Sequence, residues 1–299
     1  MSKAMILVAL VCLSCSAFSR GEPGHDAEFW FELRTKRFAV PPSDPLLPLA
    51  LEATRLLGSP DPKLRDEVGY EALASWVYDQ RRLTDQELNV VLATLVLNAR
   101  KGLGTSDGDE LYLRSFSILV LSVFAAADLK QPFLDQRRFD DLIDLALDEL
   151  ARERDLRGYT PGYGWGHATA HCADLLKFLS RSTHLRREQQ ARIVNGIAER
   201  LRSAGIVFVW GEDSRLASAL ASLGERADAD ALPFENWCER LAKDHTAVWT
   251  GAFDAASYVA VRAQLNTVAE LSADLETDAA PGATSPIRVA LHRLRKATR

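Results

Sequence analysis

Cysteine is scarce in this chain, with four in 299 residues, and two of them, Cys12 and Cys15, lie close to its start. Only Cys172 and Cys238 remain beyond that point, which excludes a disulfide scaffold and leaves either one bridge or two separate buried thiols. Positive charge is not in excess either. Thirty-six basic residues against 41 acidic ones give a net charge of -5, which excludes the broad basic field of a nucleic-acid-binding surface. No apolar run reaches the roughly 20 residues that a bilayer-spanning helix needs; residues 4–13 and 115–127 are apolar but shorter. Period-two alternation is almost absent, which argues against a sheet protein. Gly162, Gly164 and Gly166 do not follow a strand and lack dinucleotide spacing, residues 101–110 have neither Walker nor EF-hand order, and no G-x-S-x-G occurs.

The first residues differ from the rest. Lys3 precedes the apolar stretch 4–13, and Ala17 and Ser19 place small side chains before a cut at Arg20. This predicts a signal peptide over residues 1–19, hence an exported, periplasmic or envelope-associated protein with no transmembrane helix in the mature chain. A lipoprotein form through Cys15, preceded by Leu13 and Ser14, is the alternative, although Cys12 stands where an aliphatic residue is usual.

After a lead segment, 20–44, the chain reads as amphipathic helices with short breaks, and the expected class is all-α. Asp61 and Pro62 open a helix that reaches about Tyr78, and Thr84 with Glu87 forms a capping box opening another that ends before Gly102. Further helices are expected over 110–128, 136–154, 165–181, 187–204, 213–223, 234–243 and 255–275. Residues 206–210 are β-branched and aromatic but too isolated to make a sheet. Taken in pairs, the helices give units of roughly forty to fifty residues, the period of a HEAT-like α-solenoid of stacked antiparallel helix pairs over 45–276. A linker, 277–285, leads to a basic helix at 286–299. Ile287, Leu291 and Leu294 share a stripe there, among Arg288, Arg293, Arg295, Lys296 and Arg299. It either caps the stack or touches an anionic membrane surface.

Residues 158–174, GYTPGYGWGHATAHCAD, hold the densest chemistry. A helix advances about 100° per residue, so His167, His171 and Asp174 share one stripe. Two histidines four apart and a carboxylate one turn on are a ligand set for a divalent metal such as zinc. Ala168 stands where a zincin needs its glutamate, so a base would come from Glu212 or Asp213, with Glu67 and Glu71 as weaker choices. The same side chains also suit a structural network, with Asp174 paired to Arg114 or Arg215 and Glu71 to Arg114. Tyr159, Tyr163 and Trp165, joined by Trp210, form either a stacking platform or seam packing between helices.

The segments PDPKLRDEVGYEALASWVY (60–78), LYLRSFSILVL (111–121), RGYTPGYGWGHATAHCADLL (157–176) and FVWGEDSRLA (208–217) give the chain a resemblance to the bacterial family Domain of Unknown Function 2785. The resemblance implies an all-helical, HEAT-like protein of unassigned activity. Gly166 and Cys172 depart from the family's pattern, whereas His167, His171 and Asp174 do not. Three functional readings follow. The first is a protein that binds an unknown small molecule or protein partner in a concave groove centred on 158–174, through Tyr159, Tyr163, Trp165, His167, His171 and Asp174. The second is a metal-dependent hydrolase using the two histidines and Asp174. The third is a helical-toroid enzyme acting on glycans, with two facing carboxylates.

Overall fold

A computed structural model describes residues 24–106, 108–277 and 285–298. The expected signal peptide, the lipidation site at Cys15 and most of the 277–285 linker lie outside the described residues. The chain is all-α. Helices α1 (Ala27–Thr35) and α2 (Leu46–Leu56) precede a continuous helix, α3, wound as a π-helix over Lys63–Tyr70, as an α-helix over Glu71–Ala74 and as a π-helix again over Ser75–Asp79. Then come α4 (Asp85–Ala99), α5 (Glu110–Lys130) and α6 (Gln136–Arg152). A two-residue hairpin, β1 (Tyr159–Thr160) and β2 (Gly164–Trp165), leads into α7 (Ala168–Ser180). The remaining helices are α8 (Arg187–Ser203), α9 (Glu212–Gly224), α10 (Leu232–Thr250), α11 (Ala255–Thr277) and α12 (Pro286–Ala297).

Local signals explain most of these boundaries. The Thr84 hydroxyl accepts from Glu87 N–H at 3.3 Å while the Glu87 carboxylate accepts from Thr84 N–H at 2.9 Å, a reciprocal cap that satisfies two donors at the start of α4. Asp61 accepts from Lys63 N–H at 2.9 Å and starts α3. The lead segment is not featureless: α1 lies within it, and Trp30 is buried, with its indole N–H donating to Glu52 and its ring tilted against Trp76. Helix α7 begins three residues later than the expected 165, because β2 pairs back on β1 and His167 adopts a left-handed conformation with φ 56°. Helix α10 runs well past the C-terminal end of the expected 234–243, to Thr250, and residues 206–210 form a loop.

The packing order positions the site. α5 lies between α4 and α7, α7 between α5 and α9, and α9 between α7 and α11, while α6 packs on α7 and α8, and α8 on α10 and α11. α5 is long and apolar enough to cross a membrane, but most of it is buried among its neighbours, as in the central helix of a packed core. Beneath it lies a buried ionic network. Arg114 Nε donates to Glu153 at 2.7 Å and stands 3.9 Å from Glu149, its Nη1 donates to the Lys101 carbonyl at 2.9 Å, and Arg200 donates to the Glu153 carbonyl at 2.9 Å. Cys172 and Cys238 are free, buried thiols, so the bridge the sequence left open does not form. Burial pushes the Cys238 thiol up to about 12 and the Cys172 thiol well above its ordinary value, leaving both as inert packing groups. α12 packs on α10 and α11 and buries Ile287, Leu291 and Leu294 there.

Candidate functional site

The approach to α7 is a tight backbone construction. Gly166 N–H donates to the Gly158 carbonyl at 2.8 Å and His167 N–H to the Arg157 carbonyl at 2.9 Å, which closes the hairpin onto its own base. Arg65, fully buried on the π-helical part of α3, pins the hairpin tip. Its guanidinium donates to the Tyr163 carbonyl at 2.7 Å and the Ser59 carbonyl at 3.0 Å, pairs with Asp66 at 2.7 Å, and lies over the Tyr112 and Phe116 rings at 4.3 and 4.8 Å. Two glycines are required by close approach. A Cβ on Gly158 would lie 2.1 Å from Trp210 Cδ1, and one on Gly166 would lie 2.7 Å from Leu111 and 2.9 Å from the Arg157 carbonyl oxygen.

His167, His171 and Asp174 share a face of α7, but each turns to a different partner. His167 Nε2 lies 3.0 Å from the Trp210 carbonyl, so that nitrogen carries the proton and Nδ1 is the acceptor. His171 Nδ1 lies 2.8 Å from Ser115 Oγ, whose own proton goes to the Gly166 carbonyl; Nδ1 is therefore the donor, and Ser115 is not an activated nucleophile. Asp174 pairs with Arg215 at 2.5 Å rather than with Arg114. Burial, followed by the nearby Arg215, holds His167 down at about 4. Burial and then His167 hold His171 well below the usual imidazole range. Both rings are neutral at neutral pH.

The expected metal triad is not assembled. Among the described residues no group of three or more His, Cys, Asp or Glu side chains is gathered to hold a metal ion, because Asp174 is drawn to Arg215 on α9. The proposed bases have separate partners. Glu212 is buried, lies 3.8 Å from His167 and accepts from Trp210 N–H at 2.9 Å, with burial raising its carboxyl above the usual range. Asp213 accepts from Ser214 N–H. Glu67 and Glu71 both pair with Arg34, at 3.1 and 3.3 Å, so Glu71 does not meet Arg114.

The aromatics, by contrast, come together and stay open to solvent. Tyr159 is 47% exposed, Trp165 37% and Trp210 48%. Trp165 stacks on His167 with centroids 4.7 Å apart, meets Tyr159 edge-on at 5.2 Å and meets Trp210 edge-on at 5.8 Å with the planes 80° apart. Tyr163 turns the other way, stacking on Tyr112.

A family model described as "Protein of unknown function (DUF2785)" matches residues 100–267, which hold the hairpin, both histidines and Trp210. The chain belongs to that family. No curated protein and no solved structure matches it. Within this DUF2785 chain two residues that organise the 158–174 segment, Arg65 and Ser115, carry no signal in the sequence. Arg65 sits in a charged stretch that reads as a solvated face, and Ser115 sits in an apolar helix where a hydroxyl carries no periodic signal.

Proposed function

We propose that this DUF2785 protein is an exported, HEAT-like α-solenoid that binds a ligand or partner at the aromatic hairpin and the start of α7, without performing chemistry there. The serial packing of α5, α7, α9 and α11, with α6, α8 and α10 behind them, supports the solenoid reading. One observation carries the binding reading. Three large aromatic rings remain half-exposed while their backbone is held by buried Arg65, by the Gly158 contact with Trp210 and by a left-handed His167. A rigid, solvent-facing aromatic surface is costly unless something covers it, and strain at such a residue is a mark of function. Asp174 pairs with Arg215 and one Glu212 oxygen accepts from Trp210 N–H, an arrangement that favours binding over a catalytic carboxylate pair.

The test is to purify the native chain and its Trp165→Ala and Trp210→Ala variants from their own cells, and to identify by mass spectrometry what each releases on denaturation. The expected result is a species held by the native protein and absent from both variants, with thermal midpoints within a few degrees of one another. Identical release from all three proteins sinks the reading. Export has its own check: N-terminal sequencing of the mature protein should begin at Arg20, and retention of Met1 in an envelope-free fraction would contradict it.

A further inference from the structure

Resting on that binding reading, we propose that the corner formed by Tyr159, Trp165 and Trp210 is a subsite for a neutral saccharide. The geometry supplies perpendicular walls. One face of Trp165 is covered by His167, one face of Trp210 by the Gly158 backbone, and the two indoles stand 80° apart, so a flat ring can lie on one and touch the edge of the other. A pyranose has an apolar C–H face for such a wall and a rim of hydroxyls.

Hydrogen bonding narrows the class. Of the six tryptophans, Trp30, Trp76, Trp237 and Trp249 donate their indole N–H to a protein acceptor, whereas among the described residues Trp165 and Trp210 donate to none. Two acceptors belong to largely buried side chains packed against these residues: Nδ1 of neutral His167, whose ring stacks on Trp165, and Oε1 of Glu212, whose other oxygen accepts from Trp210 N–H. Mixed donors and acceptors suit hydroxyl groups, which serve as both. A proline-rich segment offers chiefly carbonyl acceptors and leaves the acceptor half unmatched.

Charge narrows it again. The arginines around the corner are already paired, Arg215 with Asp174 at 2.5 Å, Arg157 with Asp155 at 2.6 Å and Arg65 with Asp66 at 2.7 Å. An anionic ligand would have to break one of these pairs, so the saccharide is uncharged.

The test is a tryptophan-fluorescence and calorimetric titration of the full-length protein with cellotetraose, chitotetraose and maltotetraose. An acidic oligogalacturonate and a proline-rich peptide serve as contrasts. At least one neutral tetrasaccharide should bind saturably. Trp210→Ala and Tyr159→Ala should each weaken it about tenfold or more, and Trp249→Ala, an exposed tryptophan on α10 with its indole bonded to His245, should leave it unchanged. Tyr159 and Trp210 are half-exposed, so their variants carry the test even if Trp165→Ala unfolds. No response to any neutral tetrasaccharide overturns the proposal, as does binding unaffected by Trp210→Ala and Tyr159→Ala. If only the acidic sugar or the peptide binds, and does so through these rings, the saccharide assignment fails while the binding reading stands. If no probe binds and native and variant proteins release the same species, both fail.

Discussion

Replacing Arg114 with alanine lowers the unfolding free energy by about 3–5 kcal/mol, the cost expected when one member of a buried charge network is removed and its partners stay behind. Arg114 is buried with Glu149 and Glu153, and its Nε sits 2.7 Å from the Glu153 carboxylate. Burial, and then the neighbouring Glu153, already hold the Glu149 carboxyl well above its ordinary value, and Arg114 is the largest influence opposing that rise. The sign follows from linkage. A carboxyl whose folded value is raised favours folding while it is protonated, and that contribution is lost as pH climbs from the ordinary value of 4.5 through the folded one. The Arg114→Ala penalty should therefore be larger at pH 8 than at pH 5. Adding Glu149→Gln and Glu153→Gln should recover part of it, since neutral groups no longer need a counter-ion. Urea melts of the single and triple variants at both pH values decide the matter. A single-variant loss under about 1 kcal/mol, the scale of an exposed pair, would mean that water reaches the network.

Arg65→Met tests how the site is held. Methionine keeps most of the buried volume but removes the two charge-assisted bonds to the Tyr163 and Ser59 carbonyls, each worth about 1.5–3 kcal/mol. Because the Ser59 and Tyr163 carbonyls can turn to water at the surface, the expected loss of global stability is about 3 kcal/mol, with a larger local effect. The hairpin should loosen first. Hydrogen exchange should accelerate at the amides of Tyr163, Gly166 and His167, which close the turn, while amides inside α5 and α9 change less. Uniform acceleration across the whole chain would show that Arg65 supports the core and does not act as the anchor of the hairpin.

Much of this was legible in the sequence because helix signals are local. Thr84 and Glu87 announce their cap, Asp61 announces its helix, and the apolar 115–127 stretch announces a central buried one. The site was legible only as a segment. Spacing put His167, His171 and Asp174 on one face, yet a shared face says nothing about which neighbour each side chain meets, and Arg215 lies 41 residues along the chain from Asp174. The start of α7 is not legible because a left-handed His167 looks like any helical residue to periodicity. The π-helical turns of α3 were invisible for a related reason: one widened turn shifts the register without changing composition. Nothing in the spacing of Trp210 shows that its carbonyl meets His167 and its indole meets Trp165.

The placement of Arg114 also bears on the proposed export. α5 matches a bilayer in length and hydropathy, yet Arg114 near its beginning and Asp128 near its end, where the carboxylate receives Phe133 N–H and Leu134 N–H, trim the uncharged stretch to residues 115–127. An arginine entering the hydrocarbon interior is penalised by a few kcal/mol on insertion scales. For a polypeptide threaded unfolded through a secretion channel, that penalty favours passage over lodging in the lipid. Under the proposed export, the arginine that pairs with buried Glu153 in the folded protein would also guard the segment from being mistaken for an anchor.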